Sequence, residues 1–117
     1  MRLTSAIHRM GVTFALVITG MLASVSIAGP VLDRVKASGT VRVCIWPDYY
    51  GITFRNPRTE QLGGIDIDLS SEFAKTLGVK LQYVESSFST MIDDLSSDRC
   101  DISMHAVGVT PQRQLKL

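Results

Sequence analysis

Hydrophobic positions fall into runs of different character along this chain. Residues 10–30 are apolar and carry no charge, residues 40–46 are apolar and β-branched, and residues 66–77 repeat at helical spacing. The run Thr40-Val41-Arg42-Val43-Cys44-Ile45-Trp46, stopped by Pro47, predicts a buried strand. In 66–77, Leu69, Phe73 and Leu77 recur every fourth residue, with Ile65 and Ala74 beside them, which predicts a helix with that set as its apolar face. Asp66 and Asp68 suit the positive end of its dipole, and Gly78 is placed to end it. Val79, Leu81 and Tyr83 alternate with Lys80, Gln82 and Glu85, a second strand. Phe88, Met91, Ile92 and Leu95 predict a second helix, N-capped by Ser87 or Ser89, and residues 100–104 begin a third strand. Upstream, Val31, Leu32 and Val35 predict a short helix over 31–37, ended by Ser38-Gly39. Residues 47–64, with Gly51, Pro57, Gly63 and Gly64, read as mostly loop around a short extended piece at Ile52-Thr53-Phe54.

Strands alternating with short helices predict an α/β fold: strand-helix-strand-helix-strand, right-handed crossovers and a parallel sheet covered on both faces. At 117 residues the chain makes one domain at most.

Arg2, His8 and Arg9 precede the apolar N-terminal run, which ends on the small residues Ser26-Ile27-Ala28. A basic region, an apolar stretch of about 15 residues and small residues before a cleavage point predict a signal peptide over 1–28. A membrane-spanning helix needs about 20 apolar residues, and Gly11, Thr13, Thr19, Gly20, Ser24 and Ser26 break this run. Export places residues 29–117 in the periplasm. Without Arg2 and Arg9 the acidic and basic residues nearly balance, and no basic run remains, which excludes nucleic acid as a natural partner. Cys44 and Cys100 permit one disulfide in an oxidising compartment; the other reading is two small buried apolar residues on neighbouring strands. His105 is the only histidine after the leader, so no metal site and no cofactor is expected.

The segment Gly108-Val109-Thr110-Pro111-Gln112-Arg113 carries the chemistry. Thr is a good N-cap and Pro suits the first helical position, so a helix is expected to start at Pro111, at the carboxyl edge of the third strand. Open α/β sheets bind ligands at that edge. Arg113 there is either a bidentate grip on a carboxylate or an ordinary solvated side chain.

The opening Leu32-Asp33-Arg34-Val35-Lys36-Ala37-Ser38-Gly39, the run Gly64-Ile65-Asp66-Ile67-Asp68-Leu69, and Asp101-Ile102-Ser103 through Val109-Thr110-Pro111-Gln112-Arg113 together resemble family 3 bacterial solute-binding proteins, over residues 31–117. The resemblance implies the first part of one lobe of a type II periplasmic-binding-protein fold. It implies an amino acid or other small carboxylate as ligand and, for a full-length protein, an ABC-transporter permease as partner. By position, Arg113 matches the arginine that pairs with the ligand carboxylate, and Gly108 matches a loop residue whose N–H donates to it. Thr110 matches the helix cap. Tyr49 matches an aromatic that packs on the ligand, Phe88 falls near another, and Trp46 sits where some members carry an acid for a basic ligand. His105 and Ala106 fall where many members have small polar residues. Tyr49, Trp46 and Phe88 are otherwise ordinary core or rim aromatics, and His105 a packed histidine. Without an acid at Trp46 or a hydroxyl at Ala106, a strongly basic amino acid is a less natural ligand. Members of the family have two lobes, so the chain is expected to be an N-terminal fragment lacking the second.

The resemblance extends to cyclohexadienyl dehydratases, enzymes acting on prephenate or arogenate, and to periplasmic sensory lobes of receptor kinases. Dehydration needs a placed general acid. Asp48, Glu85 and His105 are the available groups, and none has an activating partner at readable spacing, so no catalytic residue is expected.

Overall fold

The computed structural model describes residues 29–116; the leader assigned to 1–28 lies outside them. Ten short elements follow one another: α1 (Pro30–Ser38), β1 (Thr40–Ile45), β2 (Asp48–Tyr49), β3 (Thr53–Arg55), β4 (Leu62–Gly63), α2 (Ile65–Leu77), β5 (Lys80–Glu85), α3 (Met91–Ser96), β6 (Ile102–Ser103) and α4 (Pro111–Gln114). β1 is the centre of a parallel sheet in the order β5-β1-β6. Its partners lie on opposite sides, so right-handed crossovers put α2 and α3 on opposite faces.

Val41, Val43 and Ile45 share one face of β1 by strand alternation. They form the buried core with Val35 of α1 and Ala74 of α2, and Ile67, Leu77, Leu81 and Tyr83 pack around them. The helix α2 exists where the spacing placed it, and Ala74 and Leu77 of its expected apolar face pack inward, but the rest of that face does not. Ile65 and Leu69 are 62% and 53% exposed and Phe73 is also exposed, whereas Ser70 and Ala74 are buried. Small residues let the helix approach the sheet closely, and the buried Ser70 hydroxyl is satisfied by the Ile67 carbonyl and the Tyr83 hydroxyl, both at 2.8 Å.

Residues 47–64 are mostly turn and loop as expected, and the short extended piece overlaps β3; the sequence did not show that β2, β3 and β4 pair as a small antiparallel sheet. Two other expectations are corrected. α3 starts at Met91 after Thr90, not after Ser87 or Ser89, so Phe88 precedes the helix. Ser87 and Thr90 instead exchange side-chain to backbone hydrogen bonds in the turn before it. The third strand shrinks to Ile102–Ser103.

Two devices fix this frame. A disulfide joins Cys44 in β1 to Cys100 just before β6, Cα atoms 5.7 Å apart, with both residues buried. Asp101 accepts hydrogen bonds from the Arg42 backbone and side chain and from Arg34. Burial alone would raise its carboxyl, but Arg42 and then Arg34 outweigh burial and hold it at about 2. Asp94 in α3 is likewise lowered, first by the Ser86 hydroxyl, against its burial, with Thr90 and the Arg99 guanidinium adding.

Candidate binding site with an aromatic floor

The carboxyl ends of the three parallel strands each deliver one ring. Trp46 follows β1, Phe88 follows β5 and His105 follows β6, while Tyr49 arrives on β2. The rings meet. Centroids lie 5.5 Å apart for Trp46 and Tyr49, 5.6 Å for Trp46 and Phe88, 6.0 Å for Tyr49 and Phe88, and 4.8 Å for Phe88 and His105. Phe88 is the hub, tilted edge-on to each neighbour, the geometry aromatic pairs prefer. The guanidinium carbon of Arg113 stands 5.8 Å over the same ring.

Arg113 is placed by a short local argument. The Thr110 hydroxyl accepts from the Arg113 backbone N–H at 3.3 Å and caps α4, whose first residue is Pro111, as the sequence predicts. Arg113 Nη1 donates to the Gly108 carbonyl at 2.7 Å. One nitrogen is thus spent on the loop itself; the guanidinium has further donors and faces no carboxylate within ion-pair distance among the described residues. A cavity of about 430 Å³ lies against Val107, Gly108, Val109, Arg113 and Gln114. A slightly larger one, about 490 Å³, opens beside α3 and β6, where Arg34 and Asp101 are already paired with each other. That second cavity is also lined by Lys116 but by none of the four rings, so the edge where Arg113 stands over Phe88 is the candidate site.

His105 is fully buried beneath Phe88. Its Nδ1 lies 3.1 Å from the Ser103 hydroxyl and 3.5 Å from the Cys44 carbonyl, and Nε2 is buried without a partner. Burial pushes the imidazole below its ordinary value and the Arg113 charge adds to this; the Cys44 carbonyl and the Asp66 carboxylate oppose. A neutral ring results at neutral pH.

Local spacing could not reveal one contact. Asp66, expected only to complement the helix start, accepts a hydrogen bond from the Ala106 backbone N–H at 2.5 Å, forty positions away.

The parallel sheet with crossovers on both faces, and a cation and aromatic floor at its carboxyl edge, define part of one lobe of a type II periplasmic-binding fold. Residues 41–117 match the bacterial extracellular solute-binding proteins, family 3, and the chain belongs to that family. Among curated relatives, it is 36% identical over 104 residues to cyclohexadienyl dehydratase of Pseudomonas aeruginosa, covering 86% of this chain and 38% of that protein. It is 30% identical over 82 residues to the L-cystine-binding protein TcyA of Bacillus subtilis, covering 70% and 31%. Among solved structures, an ancestral cyclohexadienyl dehydratase superposes with a TM-score of 0.69 at 42% identity, over 76% of this chain and 36% of that one. An arginine-bound domain 1 of the T. maritima arginine-binding protein superposes at 0.66 with 26% identity, over 72% and 64%. The chain therefore spans less than two fifths of the length of these two curated relatives.

Proposed function

We propose that residues 29–117 supply the first-lobe half of a binding site for a small carboxylate, an amino acid with a neutral apolar or aromatic side chain. On this reading residues 1–28 are a cleaved signal peptide, and the protein works in the periplasm with a second lobe and the permease of an ABC transporter. One observation carries it: Arg113 stands over Phe88 with unspent donors, at the rim of a floor made by Trp46, Tyr49 and Phe88. The guanidinium and the Gly108 N–H take the carboxylate, and the rings take the apolar side chain. The cystine-binding and arginine-binding relatives support an amino acid, and the arginine-bound single domain supports ligand capture by one lobe. Trp46, where a basic ligand would want an acid, favours a neutral side chain.

The dehydratase reading draws on the 36% identical relative. Against it, Asp48 is exposed, Glu85 is paired with Arg55 at 3.1 Å, and His105 is held neutral beneath Phe88. Incubation with prephenate separates the readings: no phenylpyruvate is expected, and its appearance at a rate dependent on protein concentration would overturn this choice.

A further inference from the structure

We infer that Asp66 is a positioning residue of this site, whose carboxylate fixes the Ala106 backbone and thereby the loop that carries Gly108 and Arg113. The inference rests on the binding reading above only for its consequence; the contact stands on its own geometry.

Asp66 lies in the first turn of α2, and that turn is anchored. The Ile65 and Asp66 N–H groups donate to the Gly51 and Ile52 carbonyls at 3.0 Å each, and the Ile52 N–H donates to the Tyr49 carbonyl at 3.1 Å. The helix start is therefore tied to the hairpin that presents Tyr49. From this anchor the Asp66 carboxylate reaches the Ala106 N–H, a charge-assisted hydrogen bond, the stronger kind. Ala106 has φ +55°, a left-handed conformation that residues with a Cβ avoid. Glu60 and Asp98 share that conformation, but their N–H groups donate to carbonyls three or four residues back, in ordinary turns. Ala106 is held instead by a side chain from another element. Its left-handed turn comes directly after the buried His105 and opens the segment in which Arg113 donates to the Gly108 carbonyl. Asp68, the other acid of this turn, is exposed and takes no such hydrogen bond. One carboxylate thus joins the start of α2, tied to the hairpin that presents Tyr49, to the segment that carries the cation.

The test is amide hydrogen exchange by NMR on the whole chain, combined with titration of L-phenylalanine followed by the same amide signals. In the unsubstituted chain the Ala106 amide is expected to exchange about tenfold or more slowly than the exposed Val109 amide. Asp66→Asn keeps an acceptor and should keep most of that protection, whereas Asp66→Ala should lose it while the β1 amides stay protected. Affinity for L-phenylalanine should fall about fivefold or more in Asp66→Ala, be largely retained in Asp66→Asn, and partly recover when Ala106→Gly is added to Asp66→Ala, because glycine takes the left-handed conformation freely. A merely structural role for Asp66 would not be rescued at Ala106. An unprotected Ala106 amide in the unsubstituted chain, or equal protection in Asp66→Ala, overturns the inference. If L-phenylalanine shifts no signal in any form, the binding reading fails while the exchange result still decides the contact.

Discussion

Asp101 and His105 stand four residues apart and answer acid in different pH ranges. Asp101 is held at about 2 in the folded chain, below its ordinary 3.8, so its stabilisation is complete above the ordinary carboxylate range and fades as pH falls toward 2. The shift corresponds to about 2 kcal/mol. Asp101→Asn should lower stability at pH 7 by at least that amount and flatten the loss between pH 5 and 2, as read by urea unfolding across pH. An unchanged acid limb would contradict the assignment. His105 acts higher. Its folded value is lowered, so the unfolded chain takes up a proton that the folded chain refuses, and stability falls as pH drops below about 6.5. His105→Gln should remove that part of the slope. The sequence placed Arg113, Gly108, Thr110, Tyr49, Trp46, Phe88 and His105 as candidates, and the structure brings their segments to one edge. It could not show that His105 lies under Phe88, nor that Asp66 reaches Ala106, because both contacts depend on how β6 and α2 are brought together.

At the scale of elements, periodicity found the helices and the three parallel strands but misjudged the inner face of α2. Of the expected set, Ala74 and Leu77 do pack inward, but Ile65, Leu69 and Phe73 stay exposed, and the inner residue that the count of apolar positions missed is Ser70, whose small size allows close approach. Strands β2 and β4 are two residues each, too short for any alternation to register. Gly64 was legible only as a loop residue. It sits at φ +125°, and a Cβ there would fall 2.4 Å from the Ile52 carbonyl oxygen. Gly64→Ala should therefore cost at least about 2 kcal/mol, measured by chemical denaturation, from backbone strain and collision together. A loss within the ordinary range for a surface substitution would show that the hairpin yields easily. The disulfide closes a loop between residues 56 positions apart. In the chain-entropy account its removal by Cys44→Ser with Cys100→Ser costs about 4 kcal/mol. Thiol counting on oxidised, denatured protein should find no free thiol, and two would contradict the bridge.

For the whole molecule, the edge built by Arg113 and the rings is open to solvent, which limits what it can hold unaided. Exposed ion pairs contribute about 0–1 kcal/mol, and ligand immobilisation costs several. The apolar floor adds contact area, so affinity for a neutral amino acid by these residues alone is expected between about 100 μM and several millimolar. A second lobe closing over this edge would tighten it by burying the same contacts. The central claim is that a carboxylate docks on Arg113 with its side chain on the aromatic floor. An NMR titration of the chain with L-phenylalanine measures it most directly. The account predicts saturable shifts confined to the signals of Trp46, Tyr49, Phe88 and residues 105–113, weakened about tenfold or more by Arg113→Ala. No shift at several tens of millimolar, or shifts that Arg113→Ala leaves intact, would contradict it.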